Sequence, residues 1–226
     1  MRNLNLLLIF LLFSVICSAQ TNFHHFRIGA GIGVTVAYAD LEKKPISLAS
    51  YGTLNYYFTP FISIGLEVQK GVLNGGNQDT ELTRQEFSNS YYAVSGGFKV
   101  QLGEFLRGGY NQSLFQELIK GMYVGTGLGI IGNDVNNIRQ VGNIYFGGVN
   151  KSREYTIPTN LGINFHIPDH WGRKRFVVNV NFQAVLVLGE GLDGYARFVN
   201  EPNDIYSFSS VGINYHFGSL GVDRRR

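Results

Sequence analysis

Gly127-Leu128-Gly129-Ile130-Ile131-Gly132 spells the glycine fingerprint of a dinucleotide-binding loop. That chemistry requires the glycines to end a strand and open a helix, whose N-terminal amides then hold a pyrophosphate. The residues that follow, Asn133 to Asn143, are polar, broken by Gly142, and carry no apolar positions at helical spacing, so no helix starts there. The glycines instead recur two apart, at Gly125, Gly127 and Gly129 and again at Gly29, Gly31 and Gly33, which is the period of a strand. No nucleotide or other cofactor is expected.

The histidines are the next residues able to do chemistry. A His general base beside a Ser is what a lipid-directed hydrolase or acyltransferase needs, but in the topology derived below His24, His25, His166, His170 and His216 all fall at one end, the wrong height for a lipid of the outer leaflet. His25, His166 and His216 share inward parity. No carboxylate or cysteine pattern accompanies them, so they read as polar side chains at a wet rim rather than metal ligands. Arg27, Glu67 and Lys99, with Glu154, also have inward parity; charges there pair and plug a narrow barrel, whose interior has room for little but side chains. Neither a catalytic nor a metal site is expected.

The chain opens with Met1-Arg2-Asn3, an apolar run from Leu6 to Ile16, and Cys17-Ser18-Ala19-Gln20. A charged start, a short apolar core and a small-residue cleavage site make residues 1–19 a secretory signal peptide, too short to span a membrane. Cys17, the single cysteine, leaves with it, which removes disulfides and thiolate chemistry from what remains. Lys and Arg number 19 against 16 Asp and Glu, a net charge of +3, too small to point to nucleic acid. Only 15% of residues are charged, while Gly reaches 29 and Phe and Tyr reach 17 and 13. Glycine and aromatics dominate the composition.

Alternation of apolar with small or polar residues occurs in eight segments of the length a tilted membrane strand needs. Their apolar faces run Ile28 to Tyr38, Ile46 to Phe58, Ile62 to Val68, Tyr92 to Leu102, Met122 to Ile130, Tyr155 to Phe165, Phe176 to Leu186, and Val211 to Phe217. The expected fold is all-β: an eight-stranded antiparallel up-and-down transmembrane barrel over 20–217, with a short basic tail at 218–226. A soluble lipid-binding barrel would have the same strand number, but three features favour a membrane. The apolar face is aliphatic in the middle and aromatic towards its ends, at Tyr56, Phe58, Phe165, Phe176, Tyr215 and Phe217. The other face is Gly, Ser, Thr, Asn, Gln and Tyr, a poor lining for a lipid cup. "SVGINYHF" places Ser210, Gly212, Tyr215 and Phe217 where an outer-membrane insertion signal belongs.

On these residues the chain resembles the small outer-membrane β-barrel proteins of Gram-negative bacteria, especially the Bacteroidota families, in which Ser-Ala-Gln cleavage sites and interior-glycine strands are common. The resemblance implies an outer-membrane location, contact with outer-membrane lipids and insertion by the barrel assembly machinery; that no enzymatic activity is expected rests on the height of the histidines. With both termini periplasmic, residues 70–90, 132–153 and 189–204 become polar external loops and Thr59-Pro60-Phe61 a tight periplasmic turn. "NQSLFQELIKG" predicts a short interfacial helix on the periplasmic side, with Ser113 and Gln116 as a capping box and Gly121 at its end. Pro158 predicts a bulge near the outer rim. The expected role is a structural anchor or binding barrel with a periplasmic or extracellular protein partner. The alternatives are a narrow pore, a lateral route for a small apolar molecule, or a barrel subunit of a secretion apparatus.

Overall fold

The computed structural model describes residues 21–38, 43–76, 86–106, 114–137, 140–141, 144–145, 149–168, 175–189, 191–194 and 203–223. The expected signal peptide, His170, Ser113 and the last three residues lie outside them. The eight staves are β1 (Thr21–Tyr38), β2 (Ser47–Tyr57), β3 (Ile62–Gly76), β4 (Glu86–Gln101), β5 (Met122–Asn137), β8 (Lys151–Ile167), β9 (Phe176–Val187) and β10 (Ile205–Asp223). A two-stranded ribbon, β6 (Gln140–Val141) and β7 (Ile144–Tyr145), lies in the β5–β8 connection. Each stave pairs antiparallel with its neighbour, and β10 returns to β1 to close the ring. The fold is therefore the expected all-β, eight-stranded up-and-down barrel.

Alternation decides which way each side chain points. Along β5, Tyr123, Ile131, Asn133 and Val135 are buried in the interior while Val124, Leu128 and Ile130 face out. The wall carries a continuous aliphatic band, with Ile32, Leu48 and Leu128 more than 70% exposed. At the end where β1 begins and β10 finishes, the aromatics pack on one another as Phe58–Tyr56–Phe26–Phe217 and as Tyr215–Phe176, mostly edge to face, with ring centroids 5.2 to 5.7 Å apart. Tyr38, Tyr92 and Tyr155 stand on the outer wall towards the opposite, loop end.

The strands run further towards the loop end than the sequence suggested. β3 continues to Gly76, β4 begins at Glu86 and β5 reaches Asn137, all within stretches expected as loops. In these extensions the sense of the alternation inverts. Leu73, Phe87, Val135 and Val187 point in and are buried, while Ser88, Ser90, Asp134 and Asn136 point out. The loop-end half thus has an apolar interior and a polar outside, like a water-soluble protein, and the other half the reverse.

Two further expectations are corrected. Gly218 to Asp223 is not a free tail: Gly218, at φ +87°, turns the chain, and β10 resumes with Leu220 to Asp223 paired to His24 to Thr21. Phe217 is therefore inside a strand rather than at its end. A register shift between His24 and Phe26 absorbs the extra residue. Pro158 makes no bulge. The β5–β8 register is the same on both sides of it, and it sits at mid-strand with its ring inward. What it does is interrupt the ladder, which runs to Thr126↔Thr159 and resumes at Gly129↔Thr156.

The helix expected in the β4–β5 connection is present as α1 (Leu114–Gly121), which runs without a linker into β5. Phe115 and Leu118 are exposed on it, beside the exposed Leu102, Phe105 and Leu106 of the preceding turn. Gly121 is its last residue and lies against the Asn164 carbonyl, where a Cβ would not fit.

Candidate functional site

Whatever the barrel does through its interior is set by how that interior is filled. Glycine makes the filling possible. Tyr51 on β2 points in and its ring lies against Gly31 and Gly212, which face each other across β1 and β10; a Cβ on Gly31 would sit 2.6 Å from the Gly212 Cα and 2.6 Å from the Tyr51 ring. Glycine stands there because an aromatic ring takes the space.

The middle of the lumen is one hydrogen-bonded network. Glu67 pairs with Lys99 at 3.7 Å and accepts from the side-chain amides of Gln69 (2.7 Å) and Gln183 (3.0 Å). Gln183 also donates to Asn160 (3.1 Å), which accepts from Asn181 (3.1 Å). The Tyr123 hydroxyl donates to Asn181 (2.8 Å) and accepts from Asn179 (3.0 Å). Asn179 reaches Asn164 (3.0 Å), which accepts from Arg27 (3.3 Å). Tyr91 donates to Gln69 (3.3 Å) on the loop side. The Lys99 ammonium lies 5.6 Å from the Tyr123 ring centre and the Arg27 guanidinium 5.0 Å from that of Tyr57.

The expected pairing of interior charges is thus met by Glu67 and Lys99, whereas Arg27 stands apart on Asn164 and Tyr57. His166 and His216 come together at the terminal mouth with ring centroids 6.2 Å apart. His25, expected inward beside them, is diverted by the strand irregularity: its ring stacks on the outward-facing Tyr56 and its Nδ1 bonds the Tyr57 carbonyl. Among the described residues no three His, Cys, Asp or Glu side chains gather as a metal site would require. Gly127 to Gly132 lies inside β5, which continues as a strand to Asn137, so these glycines do not open a helix as a dinucleotide loop requires.

The sequence placed both the charges and these amides on the inward face, but not the bonds that join them. The signal was present as Asn179, Asn181 and Gln183 at period two on β9, facing Asn160 and Asn164 on β8.

The loop end is shut by an apolar cluster. Leu73, Phe87, Ile131, Val135, Val187, Tyr206 and Phe208 fill it, and Leu192 from the β9–β10 connection drops in from above, fully buried. Asn89 holds that connection by donating to the Leu192 carbonyl (2.8 Å) and to Asn133 (2.9 Å). Truncation by Leu192→Ala is expected to cost about 2–5 kcal/mol through the cavity it leaves, and to expose the 188–204 connection to protease. Thermal melting and limited proteolysis of the refolded barrel check it, and an unchanged melting point with unchanged cleavage would show that the cap does not seal the barrel.

A small cavity of about 20 Å³ remains, lined by Glu67, Lys99, Asn160, Gln183 and Pro158 and walled by Gly65, Gly97 and Gly127. That is space for about one water. The three glycines stand in register across β3, β4 and β5, and the next inward residue at that level is Pro158, where the ladder is broken.

No family model matches the chain, and no curated protein matches it either. Solved structures do. Neisserial surface protein A (NspA) superposes with a TM-score of 0.51 at 8% identity, covering 88% of this chain and all of that one. The attachment invasion locus protein Ail of Yersinia pestis gives 0.46 at 12% identity over 86% of this chain and 99% of that one. OprG, an outer-membrane protein of Pseudomonas aeruginosa, gives 0.39 at 11% over 87% and 98%. At such low identity the likeness to NspA speaks for the fold: this chain is similar to small eight-stranded barrels over nearly its whole length.

Proposed function

We propose that the protein is an integral outer-membrane barrel of the small Gram-negative, Bacteroidota type, without enzymatic activity, that serves as a plugged anchor and presents its loops and its terminal-end helix to other molecules. The filled lumen is the observation that carries this reading. From Arg27 to Tyr91 the interior is one chain of side-chain hydrogen bonds, and above it the space is closed by apolar packing. Support for the membrane comes from the exposed aliphatic band between aromatic belts, a surface that water would not tolerate at this extent. Among the described residues no helix is long and apolar enough to cross a bilayer. Surrounding lipids are its first partners; a protein bound at the loops or at α1 is a second.

The test is single-channel conductance of residues 20–226 refolded into a planar bilayer, with Glu67→Gln and Lys99→Met alongside. Silence from a heat-modifiable, folded barrel is the expected result. Steady conductance altered by the two variants would replace the anchor with a charge-filtered pore.

One observation favours a transport reading: the ladder gap at Gly127 and Pro158 lies beside a small cavity in the lumen. A small apolar molecule leaving the lumen sideways would cross the wall there. Pro158→Thr supplies the missing donor and is expected to stabilise the barrel by about 0.5–1.5 kcal/mol. Under the anchor reading it changes nothing else; a loss of uptake of an apolar solute into vesicles would favour transport.

A further inference from the structure

Reading the outer wall row by row locates the place where the apolar band stops. On adjacent strands Val68, Val94, Ile130 and Tyr155 form one outward row across β3, β4, β5 and β8. Two residues further towards the loop end, the same register brings Lys70, Tyr92, Gly132 and Arg153 into line. This is the level at which the alternation inverts. The first polar row above the band is thus flanked by two cations, Lys70 and Arg153, set three strand spacings or about 14 Å apart at their backbones.

Both cations are exposed, and neither has an ion-pair partner among the described residues. Lys151, one row higher, is already neutralised by Asp134 at 3.3 Å. Between the two lies a notch. A Cβ on Gly132 would meet only the Tyr92 carbonyl, at 3.8 Å, so no packing requires glycine there, in contrast to Gly31 and Gly127. The basic row is also one-sided: across the ladder from Ser50, the next residues outward are Ile32 and Val211, both apolar.

We propose that this wall holds the phosphorylated headgroup of a lipid in the leaflet nearest the loops, its phosphates on Lys70 and Arg153, its sugar or glycerol over Tyr92 and Gly132, and its acyl chains on the apolar row below. A free anion would gain nothing from the aliphatic rows, and a neutral lipid nothing from the cations. The site continues the apolar band without a break, which selects an amphiphile with anionic phosphate at its head. Each basic residue near a charged lipid surface adds binding of a size that makes the pair matter. The inference rests on the membrane reading above.

The experiment uses the refolded barrel in phosphatidylcholine nanodiscs doped with a few mole per cent of diphosphoryl lipid A, with lipid retained on the protein counted by native mass spectrometry. Removing both cations in Lys70→Ala/Arg153→Ala is expected to lower retention of the phosphorylated lipid about thirtyfold. Gly132→Leu, which keeps the charges and fills the notch, is expected to lower it as well. Retention by the double variant equal to that of the wild-type protein overturns the proposal while leaving the membrane reading intact. Failure of the wild-type chain to insert as a heat-modifiable barrel removes both.

Discussion

Gly31→Val prevents closure of the barrel, whereas Gly52→Ala and Gly96→Ala leave it folded and slightly more stable. The three glycines belong to the same sheet and differ only in which side they face. A side chain on Gly31 would meet the Val211 carbonyl and the Gly212 Cα, both backbone, together with the Tyr51 ring. Neither backbone can move without opening the seam between β1 and β10, so the cost exceeds the ~1–3 kcal/mol usual for overpacking. On the outward side, a Cβ on Gly52 or Gly96 comes no nearer than 3.5 Å to any neighbour, and alanine there gains about 0.4–1 kcal/mol by restricting the unfolded chain. The urea midpoint of the refolded protein and its heat-modifiable band on a gel report both effects. A Gly31→Val barrel that folds normally would mean that the lumen has slack which the packed rings do not suggest.

Glu67→Gln is the second large effect, expected to cost about 3–5 kcal/mol because it leaves the Lys99 ammonium buried without its counter-charge. Lys99 has the Tyr123 ring as a weak substitute and little water. Adding Lys99→Met removes the orphaned charge and recovers most of the loss, since the methionine keeps the stem that packs on Gly125. Denaturant unfolding of the wild type, both single variants and the double variant gives the coupling directly. Additive losses would show that Glu67 acts through Gln69 and Gln183 alone.

The fold was legible because the membrane-facing half writes its periodicity in one phase, apolar outward, and eight such runs are long enough to count. Leu73, Phe87 and Val135 escaped because their strands cross into the other phase, where apolar residues turn in and Ser88, Ser90 and Asp134 turn out. A stretch that changes phase in mid-strand averages to no pattern and reads as loop. The bulge expected at Pro158 near the outer rim is instead a gap in the ladder at mid-strand, because its height depends on shear between strands, which no single segment contains. The interior charges followed from parity. Which amide binds which charge did not, because Glu67 and Gln69 on β3 meet Gln183 on β9 only when the ring closes.

The inversion of phase also acts as a ruler. From Met122 to Ile130 the band on β5 climbs about 20 Å along the barrel axis, at about 3.3 Å per residue and a tilt near 40°, and the Lys70–Arg153 row marks where it must end. A thicker bilayer would have to drag those two cations into hydrocarbon or thin itself around the wall, at a cost for every ångström of mismatch. On the face from β3 to β8, the same sequence that sets the fold therefore also limits how thick a bilayer the wall can meet before the lipid thins or the barrel tilts.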